Sequence, residues 1–267
     1  VFGSTDVMFN QDGVDVRKGC HDLVIENISG STGDDTVAMT GLRLPIAGGG
    51  AGRPDRRPLQ IGDDTPAESD DIHHITVRNI LGGTWLWFNH VRLLCADGAR
   101  VHDILIDGVY DEYDPSWMNW GRNASAVQIN DASTEYYRTR NCAMGELKDI
   151  TIRNIRSGAG HPIRLFRPLE NVTIENVHLL PGARSALGVQ AGAEFKNVRL
   201  SGVTADESVK LGSLLDFHQA EGELVVKDVK VGEVEHVLRN IGGNAKVAFG
   251  GLEIGKVTGA RTVAQDG

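Results

Sequence analysis

Aromatic side chains are scarce in this chain of 267 residues: 4 Trp, 4 Tyr and 7 Phe make up 6% of it. Any sizeable core must therefore be aliphatic. Cysteine is scarcer still. Cys20, Cys95 and Cys142 have no CxxC spacing, which excludes a zinc-ribbon site and a disulfide-knit scaffold, and at most one bridge can form. No stretch approaches the ~18 apolar residues of a membrane-spanning helix. Asn-Gly hairpin turns are missing, and no ten-residue helical stripe separates the apolar segments. Positive charge is in deficit: 27 Lys and Arg against 36 Asp and Glu leave a net charge of −9. That balance argues against nucleic acid or an anionic membrane as the main partner. Residues Val1 to Asn10 lack the charged and apolar regions of a signal peptide. The expected location is secreted or periplasmic if a leader was removed upstream, and cytoplasmic otherwise.

A repeat is present instead. The phrase apolar-x-apolar-x-x-apolar occurs at Leu23/Ile25/Ile28, Ile75/Val77/Ile80, Ile104/Ile106/Val109 and Ile150/Ile152/Ile155. It returns at Val172/Ile174/Val177, Val198/Leu200/Val203, Leu224/Val226/Val229 and Leu252/Ile254/Val257. The last five copies are separated by 22, 26, 26 and 28 residues. Alternation with period two and an abundance of β-branched residues predict strands. A second short strand follows each phrase, as in Thr36–Met39, Trp85–Phe88, Ala126–Ile129, Ile163–Leu165, Leu187–Val189 and Leu215–Phe217. Short strands at this period, with Gly and Asn between them, predict an all-β fold: a parallel β-helix of about eight or more coils, forming one domain over residues 1–267. A leucine-rich repeat and an antiparallel sandwich are the rival folds. Two segments break the rhythm, about 41–70 and 110–125, and read as loops inserted on one face. The first residues already look like a strand. Either a missing N-terminal segment or a partner, including a second copy, is expected to cover that open end.

The second strands align by their inward residues: Val14, Val37, Leu86, Val127, Ile163, Leu187 and Leu215. Two positions earlier the column reads Asp12, Asp35, Thr84, Ser125, His161, Ser185 and Ser213. Asp12 and Asp35 are thus expected to stack on adjacent coils with Asp34 beside them. Carboxylates so close repel, which raises at least one pKa. An acid beside an ionised carboxylate is the equipment of glycoside hydrolysis.

Asn10-Gln11-Asp12-Gly13-Val14-Asp15-Val16 resembles the Asn-Thr-Asp-Gly-Ile-Asp-Ile motif of the polygalacturonase family of glycoside hydrolases, family 28. Gly33-Asp34-Asp35-Thr36-Val37-Ala38-Met39 resembles that family's Gly-Asp-Asp-Cys-Val-Ala-Ile. The resemblance covers about Asn10 to Asn130. It implies a right-handed parallel β-helix and inverting hydrolysis of pectic or related glycosidic bonds, with no cofactor. By motif, Asp34 is the general acid, and Asp12 and Asp35 hold and activate the water. Two departures alter the expected substrate. Gly83-Thr84-Trp85 stands where the family has Gly-His-Gly, and Gln128-Ile129-Asn130 stands for Arg-Ile-Lys. Two amides replace two cations, which directs the expectation away from simple polygalacturonate.

Other residues complete the expected carbohydrate site. Arg164 and His161 lie further along the same columns. Trp85, Trp87 and Trp117, with Tyr113 and Trp120, offer stacking surfaces for sugar rings, or pack as satellite core under the second loop. No metal is assigned, although Asp63, Asp64, Glu68, Asp70 and Asp71 form an acidic run. The turn residues Asn27, Asn79, Asn154 and Asn176 read as a structural ladder. His73, His74, His90 and His102 read as solvent-side strand residues, and the cysteines as small buried groups. Two alternatives stay open. One is a calcium-dependent polysaccharide lyase using Asp34, Asp35 and a basic Arg164. The other is a non-catalytic carbohydrate-binding β-helix.

Overall fold

A computed structural model describes residues 12–42, 70–84, 89–96, 98–111, 125–130, 142–189 and 192–265. Sixteen strands lie within them, all paired in parallel. They form two stacks. The first holds β1 (Val14–Arg17), β3 (Val37–Leu42), β5 (Asn89–Ala96), β7 (Ser125–Ile129), β9 (Ile163–Leu165), β11 (Leu187–Val189) and β13 (Lys210–His218). The second holds β2 (His21–Thr32), β4 (Ile72–Thr84), β6 (Val101–Asp111), β8 (Leu147–Ser157), β10 (Leu169–Leu179) and β12 (Glu194–Ala205). The long strand β14 (Glu221–Ile241) belongs to both: its first half pairs with β12 and its second with β13. β15 (Lys246–Val257) and β16 (Thr262–Gln265) close the two stacks on β14. The chain therefore winds as a parallel β-helix, alternating between stacks once per rung.

The repeated phrase sets the register. Ile75, Ile104, Ile150, Val172, Val198 and Leu224 follow one another across the second stack. So do Val77, Ile106, Ile152, Ile174, Leu200 and Val226. These side chains are buried, and between them point exposed or half-exposed polar residues. A single rung cannot bury its apolar face alone, so each is stabilised by its neighbours.

Two registers differ from the sequence expectation. The last copy of the phrase is Val247/Phe249/Leu252, because Leu224 pairs with Val247 and Val229 with Leu252. The residues Leu252/Ile254/Val257 match the same spacing five positions on. β14 runs straight through a place where other rungs turn, so this repeat is shorter than the pattern suggests. In the third rung of the first stack, Val37 pairs with Val91 and Val91 with Val127. The inward position is thus Val91, not Leu86, and the position two before it is Asn89, not Thr84. β4 is 13 residues long and continues through Thr84, which leaves no room for a corner before that residue.

Corners are built from a column of left-handed backbone. Asn27, Asn79, Gly108, Asn154, Asn176, Gly202, Asp228 and Gly251 have φ between 54° and 86°. These residue types tolerate that region best. The asparagines also bond along the column: Asn79 Nδ2 donates to Asn27 Oδ1 at 3.2 Å, and Asn176 Nδ2 to Asn154 Oδ1 at 3.2 Å. The expected asparagine ladder is present.

Candidate functional site

Asp12 is separated from β1 by Gly13 alone, and Asp34 and Asp35 from β3, the strand paired with it, by Thr36 alone. Gly13 N–H donates to Asp35 O at 3.0 Å and Val14 N–H to Thr36 O at 2.9 Å, which locks the two approaches together. Gly13 is needed there, since a Cβ would lie 2.6 Å from the Thr36 carbonyl oxygen. Thr32 Oγ1 donates to Asp34 O at 2.7 Å and fixes the turn that presents both aspartates.

One backbone N–H organises the carboxylates. Asp35 N–H donates to Asp34 Oδ1 at 2.9 Å and to Asp12 Oδ1 at 3.1 Å. One oxygen from each of Asp12, Asp34 and Asp35 lies within 4.8 Å of the others. The three side chains expected to meet do meet. Their environments differ. Asp12 is half-buried, whereas Asp34 is 8% and Asp35 1% exposed. Burial pushes Asp12 up to about 7, helped by the negative charges of Asp34, Asp15 and Asp35 and opposed by Arg17. Asp35 is raised too, again by burial, against Arg92 and the hydrogen bonds of Asn89.

Asp35 is held from the next rung. Asn89 donates twice to its Oδ1, from the backbone at 2.8 Å and from Nδ2 at 2.9 Å, and Arg92 Nη1 stands 3.5 Å from Oδ2. Ser125 Oγ donates to Asn89 Oδ1 at 2.6 Å, so the amide is itself oriented from β7. Donors on both oxygens favour the ionised form of Asp35. Asn89 and Arg92 were missed by sequence reasoning because Trp85–Phe88 offered an earlier apolar segment. The signal was present in Asn89-His90-Val91-Arg92-Leu93, which also alternates.

His90, expected on the solvent side, is fully buried. Its Nε2 lies 3.1 Å from Asp111 Oδ1, and Ser157 Oγ donates to Asp111 Oδ2 at 2.7 Å. On the other side its Nδ1 is 3.5 Å from Thr36 Oγ1. The buried pair ties β5 to β6, and the Thr36 contact ties it to the residue that follows Asp35. Asp70 and Asp71 are likewise engaged in ion pairs, with Lys18 and Arg100.

The expected binding residues are spread along the solenoid. Ala38, Arg92, Gln128 and Arg164 form one column over four successive rungs. Arg164 and His161 thus stand three rungs from Ala38 and Asp35, about 14 Å at the usual strand spacing. Arg164 Nη1 donates to Gln128 Oε1 at 3.4 Å and lies over the Phe166 ring at 5.2 Å. His161 is held against Ser185 Oγ at 2.7 Å, and burial lowers its pKa to about 4, so it is neutral at pH 7. Gln128 and Asn130 are buried, at 6% and 2% exposure. Trp85, Trp87 and Trp117, with Tyr113 and Trp120, lie outside the described residues, as do Asp63, Asp64 and Glu68. Residues 1–11 and most of the two inserted loops also lie outside them. Compared with known protein families, with curated proteins and with solved structures, the chain matches none.

Proposed function

We propose that this protein is a glycoside hydrolase acting on a polysaccharide or oligosaccharide through Asp12, Asp34 and Asp35. The observation that carries the reading is the single N–H shared by Asp12 and Asp34, with the third carboxylate within 4.8 Å. Burial and the negative charges of Asp34, Asp15 and Asp35 push Asp12 up to about 7, so Asp12 keeps its proton to near-neutral pH beside the charged Asp34. Protonated Asp12 donates to the leaving glycosidic oxygen, and the C–O bond breaks. Water supplies the new bond to the anomeric carbon, and its proton passes to ionised Asp34. Asp35 adds a fixed negative charge that stabilises the positive character of the sugar ring. The motif resemblance makes Asp34 the acid, whereas the raised pKa puts the proton on Asp12.

Water is preferred to a carboxylate as nucleophile because Asp35 is buried with donors on both oxygens. The oxygen separation is nevertheless short, nearer the ~5–5.5 Å of retaining than the ~6.5–9.5 Å of inverting enzymes. The anomer formed first is therefore the sharpest readout. Inversion is expected by proton NMR of early product, and retention would assign direct carboxylate attack. The reaction itself is tested by reducing-end release from a panel of neutral and acidic polysaccharides. Asp34→Asn and Asp12→Asn should each lose at least about a hundredfold, and equal rates in wild type and both variants would remove the assignment.

Among the described residues neither candidate base suits the lyase alternative, since Arg164 is three rungs away and Arg92 faces Asp35. Calcium-dependent formation of an unsaturated product would restore it. Glycan binding with no turnover would favour the non-catalytic alternative.

A further inference from the structure

Two of the three cysteines meet in the core. Cys95 lies in β5 and Cys142 just before β8, 47 positions apart, yet the Cys142 thiol donates to Cys95 Sγ at 3.4 Å. The Cys95 thiol in turn donates to Ala99 O at 3.0 Å. Both are buried, Cys95 at 1% and Cys142 at 5% exposure. One carboxylate accompanies them: an oxygen of Glu146 and the two sulfurs all lie within 4.8 Å. Glu146 is brought there by a tight turn. Its N–H donates to Ala143 O at 3.1 Å, its Oε2 accepts from Ala143 N–H at 2.7 Å, and Gly145 takes a φ of 85°. Cys20 is outside this group.

We propose that Cys95 and Cys142 are a dithiol pair that closes to a disulfide between rungs, with Glu146 as the base that starts the exchange. The rival occupant is a metal ion on two sulfurs and one oxygen. A divalent ion would balance both thiolates, but the described residues offer it three ligand atoms, one short of the closed tetrahedral set of a structural zinc site. A disulfide is neutral and apolar and suits the same place. The sulfurs need to approach by about 1.4 Å to reach bonding distance.

The chemistry balances with a small-molecule disulfide as oxidant. Glu146 takes the proton of Cys142, the less buried thiol. The thiolate attacks one sulfur of the external disulfide, and the thiolate this releases takes the proton from Glu146 and departs as a thiol. Cys95 sulfur then attacks Cys142 sulfur in the mixed disulfide, and the second small thiol leaves with the remaining proton. Two hydrogens leave the protein, and one external disulfide becomes two thiols. The bridge would anchor β5, the strand that carries Asn89 and Arg92, to the corner before β8. It also closes a long loop, where restraint of the unfolded chain is greatest.

The test treats the full native chain with oxidised glutathione, followed by alkylation and digestion without reduction. The expected product is a Cys95–Cys142 linked peptide, with Cys20 alkylated and Tm raised by about 5 °C or more until reductant is added. Cys95→Val and Cys142→Val should each abolish the linkage, and Glu146→Gln should slow closure at least about tenfold without changing the product. Glutathione adducts without closure, a bridge to Cys20, or native thiols that never react would each overturn the pair. So would one tightly held zinc per chain that shields both thiols until chelated. An unchanged closure rate in Glu146→Gln would overturn the role of the base.

Discussion

Asp12 shows what burial does to one carboxyl group. Its pKa rises from 3.8 to about 7 on folding. Between those values the folded chain binds more protons than the unfolded chain, so this group's contribution to stability is present at low pH and is lost as pH rises through about 7. Asp12→Asn should therefore flatten the fall in Tm between pH 4 and pH 7 and leave the variant more stable than wild type above pH 7. A pH series of thermal melts measures this directly. In the proposed hydrolase the same titration sets the alkaline limb: with Asp12 ionised there is no acid for the leaving group, so kcat/KM should decline through about pH 7. Burial pushes Asp35 up as well, but Arg92 and Asn89 oppose the shift and hold its charge. Arg92→Met should cost roughly 1.5–3 kcal/mol in urea unfolding, because it takes the opposing charge from buried Asp35 and leaves it only the Asn89 hydrogen bonds. Adding Asp35→Asn should recover most of that loss, and purely additive effects in the double variant would contradict the pairing. The carboxylate triad was legible as residues, from two short motifs one coil apart. Its clamp was not, because Asn89 and Arg92 are ordinary residue types in a strand whose start was ambiguous between 85 and 89.

Strands and corners follow different rules, and the corners leave the clearer test. Asn176 occupies left-handed backbone with φ of 56° and bonds to Asn154. Asn176→Ala should lose both the conformational tolerance and the bond, about 2 kcal/mol. Asn176→Gly should lose mainly the bond, about 1 kcal/mol, because Gly108 and Gly202 fill the same column elsewhere. Equal losses would show that the backbone region is not what selects asparagine. Strand periodicity was readable throughout the second stack, where three apolar residues per rung repeat at fixed spacing. It misled at the last rung, where two overlapping matches compete and only pairing to β14 chooses between them. His90 was misread for a related reason. A histidine inside a short alternating segment gives no sign of which face is buried, and its partners Thr36 and Asp111 come from other rungs.

At the scale of the whole molecule, stability is a sum over neighbouring rungs. Among the described residues β15 pairs only with β14, and its residues are exposed or half-exposed, whereas β10 is enclosed by β8 and β12. Amide hydrogen exchange should therefore be slowest in β8, β10 and β12 and fastest in β15 and β16. Ile174→Ala, at a fully buried position of β10, should cost about 2–5 kcal/mol. Leu252→Ala on the last rung should cost about 1 kcal/mol. Uniform protection along the solenoid would indicate a single cooperative unit instead.

Sequence alone determined the architecture, because each rung repeats one local rule: alternating aliphatic residues in the strands, and Asn, Asp or Gly where the chain must turn left-handed. It also determined that Asp12 stacks on Asp35, since their motifs are in phase with flanking apolar residues whose register pairing fixes. Tertiary structure decided which atoms face which. Asp12 and Asp34 share one N–H, Asn89 and Arg92 hold Asp35, and Cys95 meets Cys142. Those contacts join residues dozens of positions apart, across corners of variable length, so their register is set by pairing between rungs and leaves no periodic trace in the chain.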